Sequence, residues 1–183
     1  RTGNIYTAQM LRQWLSYAFG EAEPPCEVWQ EGDRFRDPLR PAIEPEGFAS
    51  LEELMASRQA VLAALRRAVI EADVFVFTMG LTESWRNRES GLEYALCPGT
   101  LSGVFDAGQH KFVNQGFVGI RRDMRASLDL LRAANPALKI LLTVSPVPLT
   151  ATATGKHVLT ATSYSKSVLR AVAGELADDY KDV

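Results

Sequence analysis

Two short apolar runs, each trailing a long amphipathic helix, leave this chain few architectures. Asp73-Val74-Phe75-Val76-Phe77-Thr78-Met79 follows a helix predicted from Leu51 to near Glu71. Ser50 caps that helix, with Glu53 three residues on as a capping box. Leu51, Leu54, Met55, Leu62, Leu65 and Val69 form its buried stripe. The second run, Lys139 to Val144, follows a helix predicted over residues 117–134, with Phe117, Ile120, Met124, Leu128 and Leu131 inward and Asn135-Pro136 as its stop. Strands that alternate with helices pair in parallel, so the fold class is α/β with a parallel sheet covered by helices. Ligands of such sheets sit at the carboxyl ends of the strands. Those ends are Gly80-Leu81-Thr82-Glu83 and Ser145-Pro146-Val147.

The rest of the chain fits around this frame. A first helix is predicted from near Tyr6 to Phe19, with Met10, Leu11, Trp14, Leu15 and Ala18 on one face and Gly20 as its stop. Residues 21–49 read as a proline-rich, charged loop, ordered by its aromatics Trp29, Phe35 and Phe48. Residues 81–116 read mostly as loop, with Cys97-Pro98-Gly99 as a turn. A Thr/Ala-rich loop follows Ser145-Pro146-Val147-Pro148. The last helix is predicted from about Ser163, with Val168, Leu169, Val172 and Leu176 inward.

Bulk properties narrow the function classes. The 183 residues suit one domain. A formal charge of −2 gives no electrostatic footprint for nucleic acid. No apolar run approaches the roughly 18–20 residues that span a bilayer. Cys26 and Cys97 stand far apart, so neither a zinc site nor a Cys-x-x-Cys pair is expected, and a reduced compartment, the cytoplasm, is the default. No motif calls for a cofactor or a metal. The first residue is Arg1 rather than Met, and both ends read as the interior of something longer.

Local chemistry offers several candidates. At the end of the first strand, Gly80 lets the backbone turn tightly and a substrate approach. Thr82 can donate to an oxyanion and Glu83 can fix a loop; the plainer reading is a strand-to-helix turn. Ser145 lies where prolines stiffen the second strand end, and such a serine commonly bonds local backbone. His110 and His157 are the only histidines; of the two, His157 is the better base candidate. Ser163-Tyr164-Ser165-Lys166 matches a two-letter Ser-x-x-Lys pattern, with Ser163 as helix cap the plainer reading.

Six ordered segments carry a resemblance. They are Thr2-Gly3-Asn4-Ile5-Tyr6-Thr7-Ala8; Asp33-Arg34-Phe35 with Leu39-Arg40-Pro41; Phe77-Thr78-Met79-Gly80-Leu81-Thr82-Glu83-Ser84-Trp85; Cys97-Pro98-Gly99-Thr100; Leu142-Thr143-Val144-Ser145-Pro146-Val147-Pro148-Leu149; and His157-Val158 with Tyr164-Ser165-Lys166-Ser167-Val168-Leu169-Arg170. Together they resemble the GSCFA family, which itself resembles the SGNH hydrolases. Those are flavodoxin-like, three-layer α/β/α folds that hydrolyse or transfer acyl esters.

The resemblance implies one domain over residues 1–183, incomplete at both ends. Its nucleophile block would precede Arg1 and its Asp-x-x-His block would follow Val183. A sheet so reduced would leave edges unpaired. Gly3 stands where the family's oxyanion glycine is expected, and Thr82 where an oxyanion asparagine is expected. Gly80, Glu83, Trp85, Asn114, Ser145, His157 and the loop 33–41 would shape the pocket. The implied function is a serine esterase or O-acyltransferase acting on acyl esters, carbohydrate esters among them, with these residues inactive on their own. The alternative is a non-catalytic carbohydrate-binding or scaffolding module of the same fold.

Overall fold

The computed structural model describes residues 1–180 and 183. Four α-helices are present among them: α1 (Ala8–Phe19), α2 (Leu51–Glu71), α3 (Phe117–Ala134) and α4 (Val158–Asp179). Seven short strands accompany them: β1 (Trp29–Glu31), β2 (Arg34–Arg36), β3 (Val74–Met79), β4 (Glu83–Asn87), β5 (Glu93–Tyr94), β6 (His110–Asn114) and β7 (Lys139–Val144).

The two apolar runs pair as expected. β3 and β7 lie in parallel, in register from Val74 opposite Lys139 to Met79 opposite Val144. Side chains alternate across a strand, and one face of this pair is core. Phe77, Met79 and Ile140 pack with Ala8, Leu11 and Leu15 of α1, Ile120, Met124 and Leu128 of α3, and Leu169, Val172 and Leu176 of α4. The opposite face is bare: Val74, Val76 and Leu141 are each at least half exposed. The class is therefore α/β, but among the described residues helices cover one face of the parallel sheet rather than both. The outer edge of β3 is paired only at its end, where the N–H groups of Gly80 and Leu81 donate to the Tyr6 carbonyl at 2.8 and 3.1 Å.

Helix boundaries follow their local signals. The Thr7 hydroxyl accepts from Met10 N–H at the start of α1, and Gly20, at φ +77°, closes its end. Ser50 caps α2 through Glu53 N–H, while the Glu53 carboxylate reaches the Ala49 N–H at 2.9 Å. Leu51, expected in the buried stripe, is 45% exposed, and Arg58 is buried in its stead. Asn135 ends α3, and its side-chain amide donates to the carbonyls of Val69, Ile70 and Ala72, stitching the end of α2 to the entrance of β3.

Three expectations are corrected. α4 starts at Val158, and its cap is His157, whose Nδ1 accepts from Leu159 N–H. Ser163 is an exposed residue inside the helix and caps nothing. Residues 81–116, read as mostly loop, also hold a three-stranded sheet beside the turns and irregular chain of residues 95–109: β4 pairs antiparallel with β5 and with β6. Its buried side chains include Ser84, Glu93 and His110, so no apolar alternation announces it. Residues 21–49 contain the hairpin β1–β2, turned at Gly32 and Asp33 with Gly32 at φ +62°. The aromatics do order that segment: Trp29 and Phe48 are buried, and Phe48 exchanges two backbone hydrogen bonds with Phe35.

Candidate functional site

At the carboxyl end of β3 the chain must pass very close to the N-terminal segment. A Cβ added at Gly80 would stand 3.1 Å from Cδ1 and 3.3 Å from Cβ of Tyr6. A side chain there would require Tyr6 to shift by a few tenths of an ångström, at the place where the Gly80 and Leu81 N–H groups bond the Tyr6 carbonyl. The Ser145 N–H donates to the Met79 carbonyl at 2.9 Å, bringing the end of β7 alongside.

Two cavities flank this junction, with Asn4 and Tyr6 lining both. The first is a groove of about 370 Å³ along the outer edge of β3; Gly3, Thr78, Gly80 and Ser145 line it. Gly3 has φ +73°, and its N–H donates to no protein acceptor among the described residues. The Ser145 hydroxyl accepts from Val147 N–H at 3.2 Å, a local bond of the kind expected for a serine before a proline.

The second cavity, about 440 Å³, lies under β4 and the loop that follows β7. Its wall is one cross-strand row: Trp85 stands opposite Tyr94 on one side and Phe112 on the other, and all three line the space. Leu81 and Met10 add apolar surface, and a strap formed by Leu149 and residues 151–153 faces the aromatic row. Glu83 holds the strap: it accepts from the Thr152 hydroxyl at 2.6 Å and from Ala153 N–H at 3.3 Å. Glu93, fully buried, accepts from Thr7, from Ser84 at 2.9 Å and from Arg86 at 3.0 Å.

Burial tunes several groups here. It pushes the Tyr94 hydroxyl well above its ordinary pKa, and the neighbouring Glu27 carboxylate adds to the effect. It lowers the pKa of Lys166, whose Nζ donates to the Gly80 carbonyl at 2.9 Å and pairs with no carboxylate among the described residues. It raises the pKa of the Cys97 thiol, which lines the second cavity. The thiolate is the reactive form, so iodoacetamide at pH 8 is expected to modify exposed Cys26 well before Cys97. Peptide mapping of partly alkylated protein checks the order; equal rates would show that the Cys97 wall is open.

The sequence candidates are thus divided. Gly3, Gly80 and Ser145 share the groove, while Glu83 and Trp85 share the larger cavity. Thr82 lines neither: it is 1% exposed, and its hydroxyl has no hydrogen-bond partner. Asn114, opposite Glu83 on β6, likewise has an unpartnered Oδ1. His157 is exposed and serves as a helix cap. His110 is buried, accepts from Asp106 N–H through Nδ1 and packs edge-on against Tyr94. The loop 33–41 lines neither cavity. Its Asp37 and Arg40 join Arg58 in a buried ion cluster.

Sequence reasoning missed the strap and the buried Glu93. A Thr/Ala-rich loop gives no pattern, and a carboxylate before a tyrosine gives none either. Among the described residues no serine and histidine bond each other, no three His, Cys, Asp or Glu residues are placed to hold a metal, and no helix is long and apolar enough to cross a membrane.

Compared with known proteins, residues 1–183 match the model of the GSCFA family over their whole length. No curated protein and no solved structure matches the chain.

Proposed function

This chain belongs to the GSCFA family, and from that premise we propose that it forms the oxyanion and substrate-binding part of a serine esterase or O-acyltransferase acting on acyl esters. The observation that carries the reading is the aromatic-walled cavity at the carboxyl end of β3, next to a groove in which the Gly3 N–H lacks a protein acceptor. Strand ends of this kind are where α/β sheets bind ligands.

The reaction needs a serine to attack the ester carbonyl, a histidine to take its proton and fixed donors for the negative oxygen. Gly3 N–H is one candidate donor, and the buried, unpartnered Thr82 hydroxyl is the candidate for the second. The second reading is a carbohydrate-binding or scaffolding module of the same fold without catalysis.

A fluorophosphonate probe and p-nitrophenyl acyl esters separate the two. The intact gene product is expected to label at one serine and to hydrolyse the esters, and residues 1–183 alone to do neither. If the intact product is silent in both assays, the esterase reading falls and the binding module stands. Labelling of residues 1–183 alone, at Ser145 or Ser163, would instead move the nucleophile into this chain.

A further inference from the structure

The 440 Å³ cavity has a chemistry more specific than its position. Most of its polar wall groups are already engaged; the exposed Asn4 amide and Tyr6 hydroxyl are the exceptions. Thr7 and Ser84 donate to Glu93, and Arg86 completes that carboxylate's shell. Thr152 is held by Glu83 and Thr154. The Tyr94 hydroxyl is taken by Glu27 and Asn87. A sugar entering here would leave most of its hydroxyls without partners, and buried unpartnered hydroxyls are costly. Trp85 is also engaged by its neighbours, with Phe105 edge-on at 5.3 Å and Phe112 tilted at 5.5 Å.

Charge narrows the occupant further. No Lys, Arg or His lines the cavity. Glu93 is neutralised by Arg86 at 2.9 Å, but no cation pairs with Glu83 among the described residues. Glu83 is half-buried, and a carboxylate held beside an apolar wall repels a second one brought into contact with it.

The geometry points to this cavity as the site of the uncharged aliphatic arm of the substrate, bound between the Tyr94–Trp85–Phe112 row and the strap 149–153, with Glu83 excluding arms that end in an anion. The term "substrate" rests on the esterase reading; the binding itself does not.

Titration calorimetry on residues 1–183 tests it with methyl hexanoate, methyl octanoate, monomethyl suberate and methyl glucoside. Each buried methylene contributes about fourfold, so methyl octanoate should bind about 15-fold tighter than methyl hexanoate. Monomethyl suberate, which carries a carboxylate at the far end of a chain of that length, should bind about 100-fold more weakly than methyl octanoate. Glu83→Gln, which keeps an acceptor for Thr152, should narrow that gap, the remainder being the desolvation of the arm's own carboxylate. Ala151→Phe, from the exposed side of the strap, should abolish ester binding while leaving the thermal transition in place. Methyl octanoate should also slow alkylation of Cys97 and not of Cys26.

Binding of methyl glucoside with silent esters, affinity independent of chain length, or ester binding untouched by Ala151→Phe would overturn the assignment. A gap unchanged by Glu83→Gln would overturn the role of its charge. Binding without turnover by the intact product sinks the esterase reading alone, and turnover indifferent to Ala151→Phe sinks this inference alone.

Discussion

Thr82→Val is expected to lower ester turnover by the intact gene product by about 10²–10³-fold, the usual cost of losing one oxyanion donor. The same change should leave residues 1–183 as stable as before, or more stable by about 1 kcal/mol. The two halves of this expectation have one cause. The Thr82 hydroxyl is buried and bonds to nothing, whereas the Thr82 carbonyl is held by Gln115 N–H at 2.8 Å. Valine matches threonine in shape, keeps the backbone bond and removes an unsatisfied donor. Buried polar groups without partners are rare in folded proteins, and a reaction that calls on the group is one reason to retain it. Steady-state kinetics on p-nitrophenyl esters and urea titration read the two effects separately. Full activity would remove Thr82 from the oxyanion site, and a marked loss of stability would show that its hydroxyl is bonded inside the protein.

Asp37→Asn should be the most damaging single change to the fold, at about 3–5 kcal/mol. The Asp37 carboxylate accepts from Arg40 Nε at 2.9 Å, from Arg58 Nη2 at 2.8 Å and from Leu39 N–H at 3.1 Å. All three charged side chains are at most 2% exposed. Removing the negative charge leaves two guanidinium groups buried without a counter-ion. Arg58 also donates to the carbonyls of Pro25 and Glu27, and Arg40 to the Ser57 hydroxyl. The cluster therefore clamps the whole 21–49 segment against α2. A domain is stable by only about 5–15 kcal/mol, so the loss is a large share of the total. The urea midpoint should fall with the slope unchanged, and proteolysis should begin within residues 21–49. A loss below about 1 kcal/mol would show that the clamp is dispensable.

The architecture was legible where one stretch of chain carried its own instructions. Ser50 with Glu53, Gly20 and Asn135-Pro136 mark helix ends because capping involves residues within four positions of each other. Val74–Met79 and Lys139–Val144 read as strands because their cores are apolar and short. The last helix starts earlier than expected because its cap is a histidine, His157, and its first turns carry Thr160 and Thr162, which signal helix weakly. The site was half legible. Gly80 and Glu83 announced themselves at a strand end, but the strap that Glu83 holds lies some 70 positions away.

By itself, then, the sequence determined the first three helices, the existence of the fourth, and the parallel pair. Only the tertiary structure decided that Asp37, Arg40, Arg58 and Glu93 are interior, that β4, β5 and β6 form a polar antiparallel sheet, and that helices among the described residues cover a single face of β3 and β7. The reason is one of partners. Apolar burial depends on a pattern carried within each segment. A charge or a polar strand can be buried only when its counter-groups arrive from elsewhere, and here they come from positions 21 and 86 residues away.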